Sequence, residues 1–380
     1  MLRGGISIGR IFGISIKLHF SWFFIFALIT WALAAVYFPE TYPTWSLSMK
    51  IGAGLLTSLL FFASVLIHEL CHSIVALHES IHIESITLFF LGGVSQMTGE
   101  PKTAGDEFRM AAAGPFSSLV LGGIFFGIYF VLRGSNALSY QFGAAVSYYL
   151  GFINILLGVF NLIPGFPLDG GRVFRSIIWG LTKNLQTATR IAATIGRAFG
   201  FLFILGGIYL VFTGNFINGI WIALIGWFLE SAAGGSYQQM LLQELLKGHT
   251  ASEIMSRDCM IISPDTTVER LVNENIMTSG RRCFPVASDG HAEGLMTLHN
   301  VRAIPQNAWS TTEVRKAMTP LDKVKSVSPN EDLNTVMQIL TQNDINQVPV
   351  VSDNQIVGIV ARDNLINFIN TMAEIKRSRT

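Results

Sequence analysis

The chain has little cysteine and little charge. Its three cysteines, Cys71, Cys259 and Cys283, lie far apart. They make neither a disulfide framework nor a Cys-x-x-Cys metal knuckle, and they suit a reducing compartment for a soluble part. Charged residues occupy 13% of the 380 positions and sum to a net charge of +1, so the overall balance gives no support for nucleic-acid binding. The scarcity is uneven, with charges sparse up to Leu229 and dense after it. Residues 1–17 contain Arg3, Arg10 and Lys17 but no acidic side chain. Half of the chain is hydrophobic and the mean hydropathy is +0.47, too apolar for an ordinary soluble protein. A membrane domain followed by a soluble one accounts for both patterns.

Six apolar runs are expected to cross a bilayer: Leu18 to Phe38, Ile51 to Leu77, Phe108 to Leu132, Tyr148 to Leu162, Phe199 to Phe212 and Phe216 to Leu229. The first is too long for a secretory h-region and lacks a small-x-small cleavage site. The fourth should begin somewhat earlier than Tyr148, and the last two are short. Between the fourth and fifth lies a segment rich in Arg172, Arg175, Lys183, Arg190 and Arg197, read as an interfacial or cytosolic connector. Six spans place both termini on one side, and the basic N-terminus and basic connector put that side in the cytoplasm. Between the second and third spans, the β-branched and aromatic run Ile81 to Met97 reads as a hairpin turning at Gly92-Gly93. It is either a short surface ribbon or a strand edge able to pair with an extended peptide.

The second run contains His68-Glu69-Leu-Cys-His72. Two histidines four apart on a helix share a face, so their imidazoles can meet on one zinc ion, and Glu69 can hold and deprotonate a water there. Ionisable groups at membrane depth are costly, which makes a functional site the default reading. A catalytic zinc takes three protein ligands, so the helix is one short. His78 has metzincin-like spacing, but Val75 stands where that motif needs Gly, and on a continuous helix His78 leaves the shared face. Glu84 falls in the hairpin and Glu100 in a polar loop. Asp169, beside a span end and held between Pro167 and Gly170-Gly171, is the stronger candidate; a helix-end turn aspartate is the other reading. Asn161 could donate to a tetrahedral oxyanion or, like Asn154, bridge helices. Cys71 points away from the ligands and reads as packing. Two functions fit this set: a zinc hydrolase, or a metal transporter with the tail as its sensor. The transporter leaves Glu69 without a role.

After Glu230 comes a Gly-Ser linker, Ala233-Gly-Gly-Ser236, and a helical segment, together spanning 233–248. An internal repeat follows, assigned to 249–308 and 309–380. Ala251-Ser-Glu-Ile-Met255 matches Val314-Arg-Lys-Ala-Met318, Phe284-Pro285-Val286 matches Val348-Pro349-Val350, and Gly294-Leu-Met matches Gly358-Ile-Val. Their common offset of about 64 residues predicts two units packed as a pseudo-twofold pair.

With these residues in hand, two families come into view. His68-Glu69-Leu-Cys-His72, Leu91-Gly92-Gly93, Gly114-Pro115 and Asn161-x-x-Pro164-x-x-Pro167-Leu-Asp169-Gly170 together resemble the site-2 protease family of intramembrane zinc metalloproteases, over about residues 1–232. The resemblance implies His68, His72 and Asp169 as zinc ligands and Glu69 as general base. It implies cleavage in or near a transmembrane segment of a substrate protein, with the hairpin around Leu91, Gly92, Gly93 and Val94 engaging the substrate as an added strand. The tail resembles a pair of CBS modules, which often bind adenine nucleotides and regulate an attached enzyme. The family's ribose-binding Asp is Asn300 in the first repeat and Asn364 in the second; Thr297 keeps the hydroxyl that Ala361 lacks, and Asp363 stands one residue early and is expected to point elsewhere. An adenine nucleotide and a structural or dimerising role both remain open for the pair. The expected architecture is a polytopic α-helical membrane protein with a membrane-associated β-hairpin and a soluble α+β tandem CBS domain. Its expected place is a prokaryotic cell membrane, with both termini and the CBS pair cytoplasmic.

Overall fold

The computed structural model describes residues 5–377 except 91, 98, 100, 136, 280, 289, 290 and 354. The chain divides into two compact units, Met1–Gln238 and Gln239–Thr380.

The first unit opens with strands β1 (Gly5–Ile11) and β2 (Ile14–His19), joined by a two-residue turn in which Phe12 and Gly13 both take positive φ. That backbone twist suits a tight antiparallel hairpin. Helices α1 (Phe20–Thr41) and α2 (Leu47–His78) follow, then β3 (Ile83–Phe89) and β4 (Gly92–Met97). Next come α3 (Ala104–Leu132), α4 (Leu138–Asn161), a short α5 (Asp169–Thr182), α6 (Leu185–Phe212) and α7 (Phe216–Leu246). All of these helices except α5 are long and apolar enough to cross a membrane, six in number among the described residues. Their outward faces carry large apolar side chains such as Val131, Leu202, Leu205 and Phe212, as contact with lipid tails requires.

The Ile81–Met97 segment does form a hairpin, within a larger sheet, but it does not turn at Gly92-Gly93: these are the first two residues of β4, paired with Phe89 and Leu88. The four strands are ordered β1-β2-β3-β4, with β2 and β3 parallel and the outer pairs antiparallel. Ile14, Ile16, Ile83 and Ile86 from the middle strands pack with Leu70 of α2 and Met110 of α3. Strand β1 is exposed along its whole length and shows no buried face, whereas β2 alternates, with Ile14, Ile16 and Leu18 inward.

Three helix boundaries differ from expectation. Helix α4 begins before Tyr148, as expected, but a full ten residues earlier at Leu138, since Ala145, Val146 and Leu150 belong to one cluster with Phe38 and Trp45. The basic connector is helical: α5 ends at Lys183, which turns left-handed, and Asn184 caps α6 by accepting from the Thr187 amide. Arg190 and Arg197 therefore lie inside α6, whose buried face is made of Ala188, Ala192 and Ala193. The expected Gly-Ser linker is instead the middle of α7. Each interior glycine costs a helix about 1 kcal/mol, and here Ala233 and Tyr237 pack with Phe166, Ala192 and Ala193 to hold the helix across Gly234-Gly235.

Helices α6 and α7 form an antiparallel hairpin whose backbones touch. A Cβ on Gly207 would lie 2.5 Å from the Ala223 nitrogen and the Gly219 oxygen, and one on Gly226 would lie 2.6 Å from the Gly200 oxygen. Small residues that permit such an approach are a main source of helix adhesion in lipid, where apolar surface alone gives little preference.

In the second unit the two repeats correspond strand for strand. Strands β5 (Cys283–Ser288) and β6 (His291–Thr297) match β8 (Gln347–Ser352) and β9 (Gln355–Ala361), down to a bulge at Val286/Ala287 and at Val350/Val351. A two-residue strand, β7 (Thr319–Pro320), adds to β6. Each repeat has its own core, one around Phe284, Val286 and Met296, the other around Val348, Val350 and Val360. The repeats meet through the equivalent residues Leu295 and Ile359, with Cys283 between them, so like surfaces face each other as in a twofold pair. Burial pushes the Cys283 thiol up to about 12, leaving it a packing residue.

The backbone contact between α6 and α7 predicts opposite outcomes at adjacent glycines. Gly207→Ala should lower the thermal midpoint of the purified protein, by about 1–3 kcal/mol of overpacking. Gly206→Ala, where an added Cβ meets nothing within 4 Å, should leave it equal or slightly raised. Circular dichroism melts in detergent measure both.

Candidate metal centre

His68 and His72 lie one turn apart on α2, both buried, and Asp169 is the first residue of α5. Asp169 Oδ2 stands 3.1 Å from each Nε2, and the two Nε2 atoms are 3.3 Å apart. These separations match the edge of a tetrahedron, about 3.3 Å for zinc bonds of about 2.0–2.1 Å. Among the described residues these three form the group able to hold a metal ion.

The far side of each ring is held by a group on α3, and at His72 that group fixes the tautomer. His72 Nδ1 is 2.6 Å from the Met110 carbonyl oxygen, which can only accept, so Nδ1 carries the hydrogen and Nε2 presents its lone pair. His68 Nδ1 meets Ser118 Oγ at 2.9 Å. The His72 lone pair and a carboxylate oxygen thus converge on one point, and His68 adds a second lone pair when its Nδ1 donates to Ser118, an arrangement that a bound cation relieves. Room for it comes from Gly114, lying between Met110 and Ser118 on α3. A Cβ there would fall 2.0 Å from His72 Nε2 and 2.7 Å from His68 Nε2. The donor set, tautomer and spacing fit zinc.

Glu69, one residue on, accepts a hydrogen bond from Ser95 Oγ of β4 at 3.1 Å. Ser95 Oγ also lies 3.2 Å from Ser73 Oγ of α2. Gly93 sits against the same carboxyl, since a Cβ there would be 2.4 Å from Glu69 Cγ. The outer hairpin strand therefore packs directly on the candidate base, with Val94 exposed on it. Leu91 and Glu100 lie outside the described residues.

The remaining candidates lie elsewhere. His78, at the C-terminal end of α2, and Glu84, on β3, are exposed and stand outside the cluster. Asn161 donates its amide to the Leu157 carbonyl of its own helix at 3.0 Å. Asn154 donates to Leu150 O and, between helices, to Ser64 Oγ. Met110, Gly114, Ser118, Ser73 and Ser95 emerge as site neighbours only in the folded chain. A backbone carbonyl and single serines carry no sequence signal, and Gly114-Pro115 signalled only as a motif.

In the second unit a cavity of about 620 Å³ opens between the repeats, with Asp258, Arg281 and Arg282 from the first and Asp363 and Asn364 from the second among its walls. Asp363 is among the residues lining this cavity. The backbone turn that caps the last helix with Asn364 Oδ1, accepting from the Ala361 amide, brings both residues to the same rim. Thr297 and Asn300 are not part of it. They form a reciprocal cap on their own helix, and Asn300 Nδ2 donates to Thr319 Oγ1.

The model for peptidase family M50 matches residues 56–149 and 135–203, and the CBS domain model matches 251–306 and 314–371. A protein of Synechocystis sp. named as a zinc metalloprotease is 34% identical over 375 residues, covering 98% of this chain and 97% of its own length. The zinc metalloprotease named Rip3 of Mycobacterium tuberculosis is 33% identical over 374 residues, covering 97% and 94%. The solved site-2 protease from Methanocaldococcus jannaschii is 28% identical and covers 61% of this chain and 95% of its own, with a TM-score of 0.42. Apolar helices, a buried His-His-Asp cluster beside a carboxylate, the family models and the two relatives over 30% identical agree: the chain belongs to peptidase family M50, the site-2 zinc metalloproteases, and carries a C-terminal pair of CBS domains.

Proposed function

We propose that this multi-pass membrane protein hydrolyses peptide bonds in or near transmembrane segments of substrate proteins, as a step of regulated intramembrane proteolysis. The observation that carries the reading is the contact of β4 with Glu69. The outer strand of the sheet offers an edge to an extended peptide, and the same strand holds the candidate base through Ser95. A substrate strand added at β4 would lie beside that carboxylate. Needing to be unwound before it can pair, it would be cut close to a helix end.

In this reading His68 Nε2, His72 Nε2 and Asp169 Oδ2 hold the metal, and Met110 and Ser118 keep the imidazoles turned toward it. Bound zinc supplies Lewis acidity, polarising the scissile carbonyl and making water acidic enough to deprotonate near neutral pH. Glu69 takes the water's proton and returns it to the leaving amine. Asn161 gives one N–H of its amide to the Leu157 carbonyl and keeps a second, with which it would assist an oxyanion.

For the second unit we infer an adenine nucleotide in the cavity beside Arg281, Arg282 and Asp363, with regulation of the protease as its consequence. Asp363 would take over the ribose contact from the absent family aspartate. A homodimer through the CBS pair is the companion reading. The relatives are prokaryotic, and Arg172, Arg175 and Lys183 flanking the fourth and fifth spans argue for a cytoplasmic connector and C-terminal part in a prokaryotic cell membrane.

Two outcomes are expected. Glu69→Gln should lower turnover of a transmembrane peptide by about 100-fold or more, with zinc still bound by elemental analysis; Asp169→Ala should lose the zinc as well. Undiminished cleavage by Glu69→Gln would remove the assigned base. Calorimetric titration of the full chain with AMP or ATP should show saturable binding that Asp363→Ala weakens about 10-fold, the loss of a charge-assisted hydrogen bond. Absence of heat at millimolar nucleotide would leave the pair a structural or dimerising module.

A further inference from the structure

Glu107, in the first turn of α3, has no exposed surface and lies outside the chemistry described so far. Arg175 of α5 grips it with two nitrogens: Nε donates to Glu107 Oε1 at 2.7 Å, and Nη2 donates to the same oxygen. Arg172 stands 3.8 Å from that oxygen through its own Nε. Glu107 Oε2 finds no hydrogen-bond partner among the described residues. Burying a carboxylate this completely is costly unless it is paired, so the pairing demands a reason beyond surface solvation.

The reason lies in what the two helices carry. On α3, residues 107, 110, 114 and 118 follow the three-and-four spacing of one helix face. Met110, Gly114 and Ser118 are the residues that orient or accommodate His68 and His72. On α5, Asp169 is the first residue, and Arg172 and Arg175 follow it by one and nearly two turns. The start of α5 is pressed on the loop before it, since a Cβ on Gly170 would lie 2.3 Å from the Leu162 carbonyl carbon and one on Gly171 2.4 Å from that of Gly165. Arg175 also lies over the Phe166 ring of that loop at 5.2 Å. Asp169 comes from a short helix more than 90 residues beyond the histidines, so its distance to them is set by how α5 is docked.

We propose that Glu107, through Arg175 and Arg172, is a positioning residue for the metal centre: it docks α5 on α3 and thereby holds Asp169 Oδ2 at ligand distance from His68 and His72. One face of α3 then orients all three ligands, two through their rings and the third through its helix. This rests on the assignment of His68, His72 and Asp169 as the metal ligands.

The test measures zinc affinity of the purified full chain in detergent by competition with a chromophoric chelator, alongside the thermal midpoint of the zinc-free protein. Glu107→Gln and Arg175→Met should each weaken zinc binding by about 10- to 100-fold, the range for partners that orient ligands. The double variant should lose no more than the worse single one, because both remove the same link. Arg197→Met, which breaks the exposed Arg197–Glu230 pair, should leave zinc affinity unchanged. A packing role alone would lower the zinc-free midpoint and leave the zinc affinity of the folded protein within twofold of wild type; that result, or additive losses in the double variant, overturns the proposal. Should Glu107→Gln fail to fold, Arg175→Lys, which keeps the charge but not the two-nitrogen grip, carries the same test with the same outcomes. Wild type that binds no zinc, or binding that survives His72→Ala, would overturn the ligand assignment itself. Normal wild-type binding with unaffected Glu107 and Arg175 variants would overturn only the positioning role.

Discussion

Three electron-rich side-chain atoms converge within about a bond's edge of one another inside an apolar helix bundle, and much of the first unit serves that convergence. Such groups cannot be left to find their own orientation, because an unsatisfied polar atom away from water is costly. The Met110 carbonyl and the Ser118 hydroxyl occupy the outward nitrogens of the two rings, and Gly114 leaves open the volume into which the inward nitrogens point. α3 is therefore as much a part of the centre as α2, although it contributes none of the three converging atoms.

Asp169 depends on a different kind of restraint. The chain from Leu162 to Leu168 is irregular, yet it is held against α6, where Phe166 donates its amide to the Ala192 carbonyl and a Cβ on Gly196 would collide with the Phe166 oxygen. The loop is thus clasped between α5 and α6, and it delivers an aspartate to the centre while lacking regular structure of its own. On the opposite side, the sheet brings Ser95 and Gly93 to Glu69. In the proposed reading a substrate strand would add to the edge of β4 while the candidate base Glu69 lies against its face, so that peptide pairing and base orientation would be parts of a single geometry.

The second unit shows how duplication can conserve a frame and diverge at its rim. The repeats share strands, bulges and the Leu295–Ile359 contact. At equivalent helix starts Asn300 and Asn364 accept from the amides of Thr297 and Ala361 alike, but Thr297 adds a hydroxyl that Ala361 lacks, Asn300 turns to Thr319, and Asp363 and Asn364 line the cavity. The two halves of the pair therefore present unequal chemistry to anything bound between them.

Local patterns determined a good part of this molecule. Hydropathy alone located six membrane-length helices, since a span must satisfy its backbone internally and cover itself with apolar side chains. Helical spacing placed His68 and His72 on one face, and prolines and glycines around Asp169 marked a rigid turn. The repeat was legible because its offset is constant. What sequence could not decide were interactions between segments far apart. The β1 strand buries neither face and is held through its pairing with β2, the glycines inside α7 look like a linker until Phe166 and Ala192 pack across them, and Glu107 looks like any first-turn acid until α5 brings Arg175 to it. Spacing along one helix is fixed by its 1.5 Å rise, whereas the meeting of α2, α3, α5 and β4 depends on close packing among elements, and only the tertiary structure decides that.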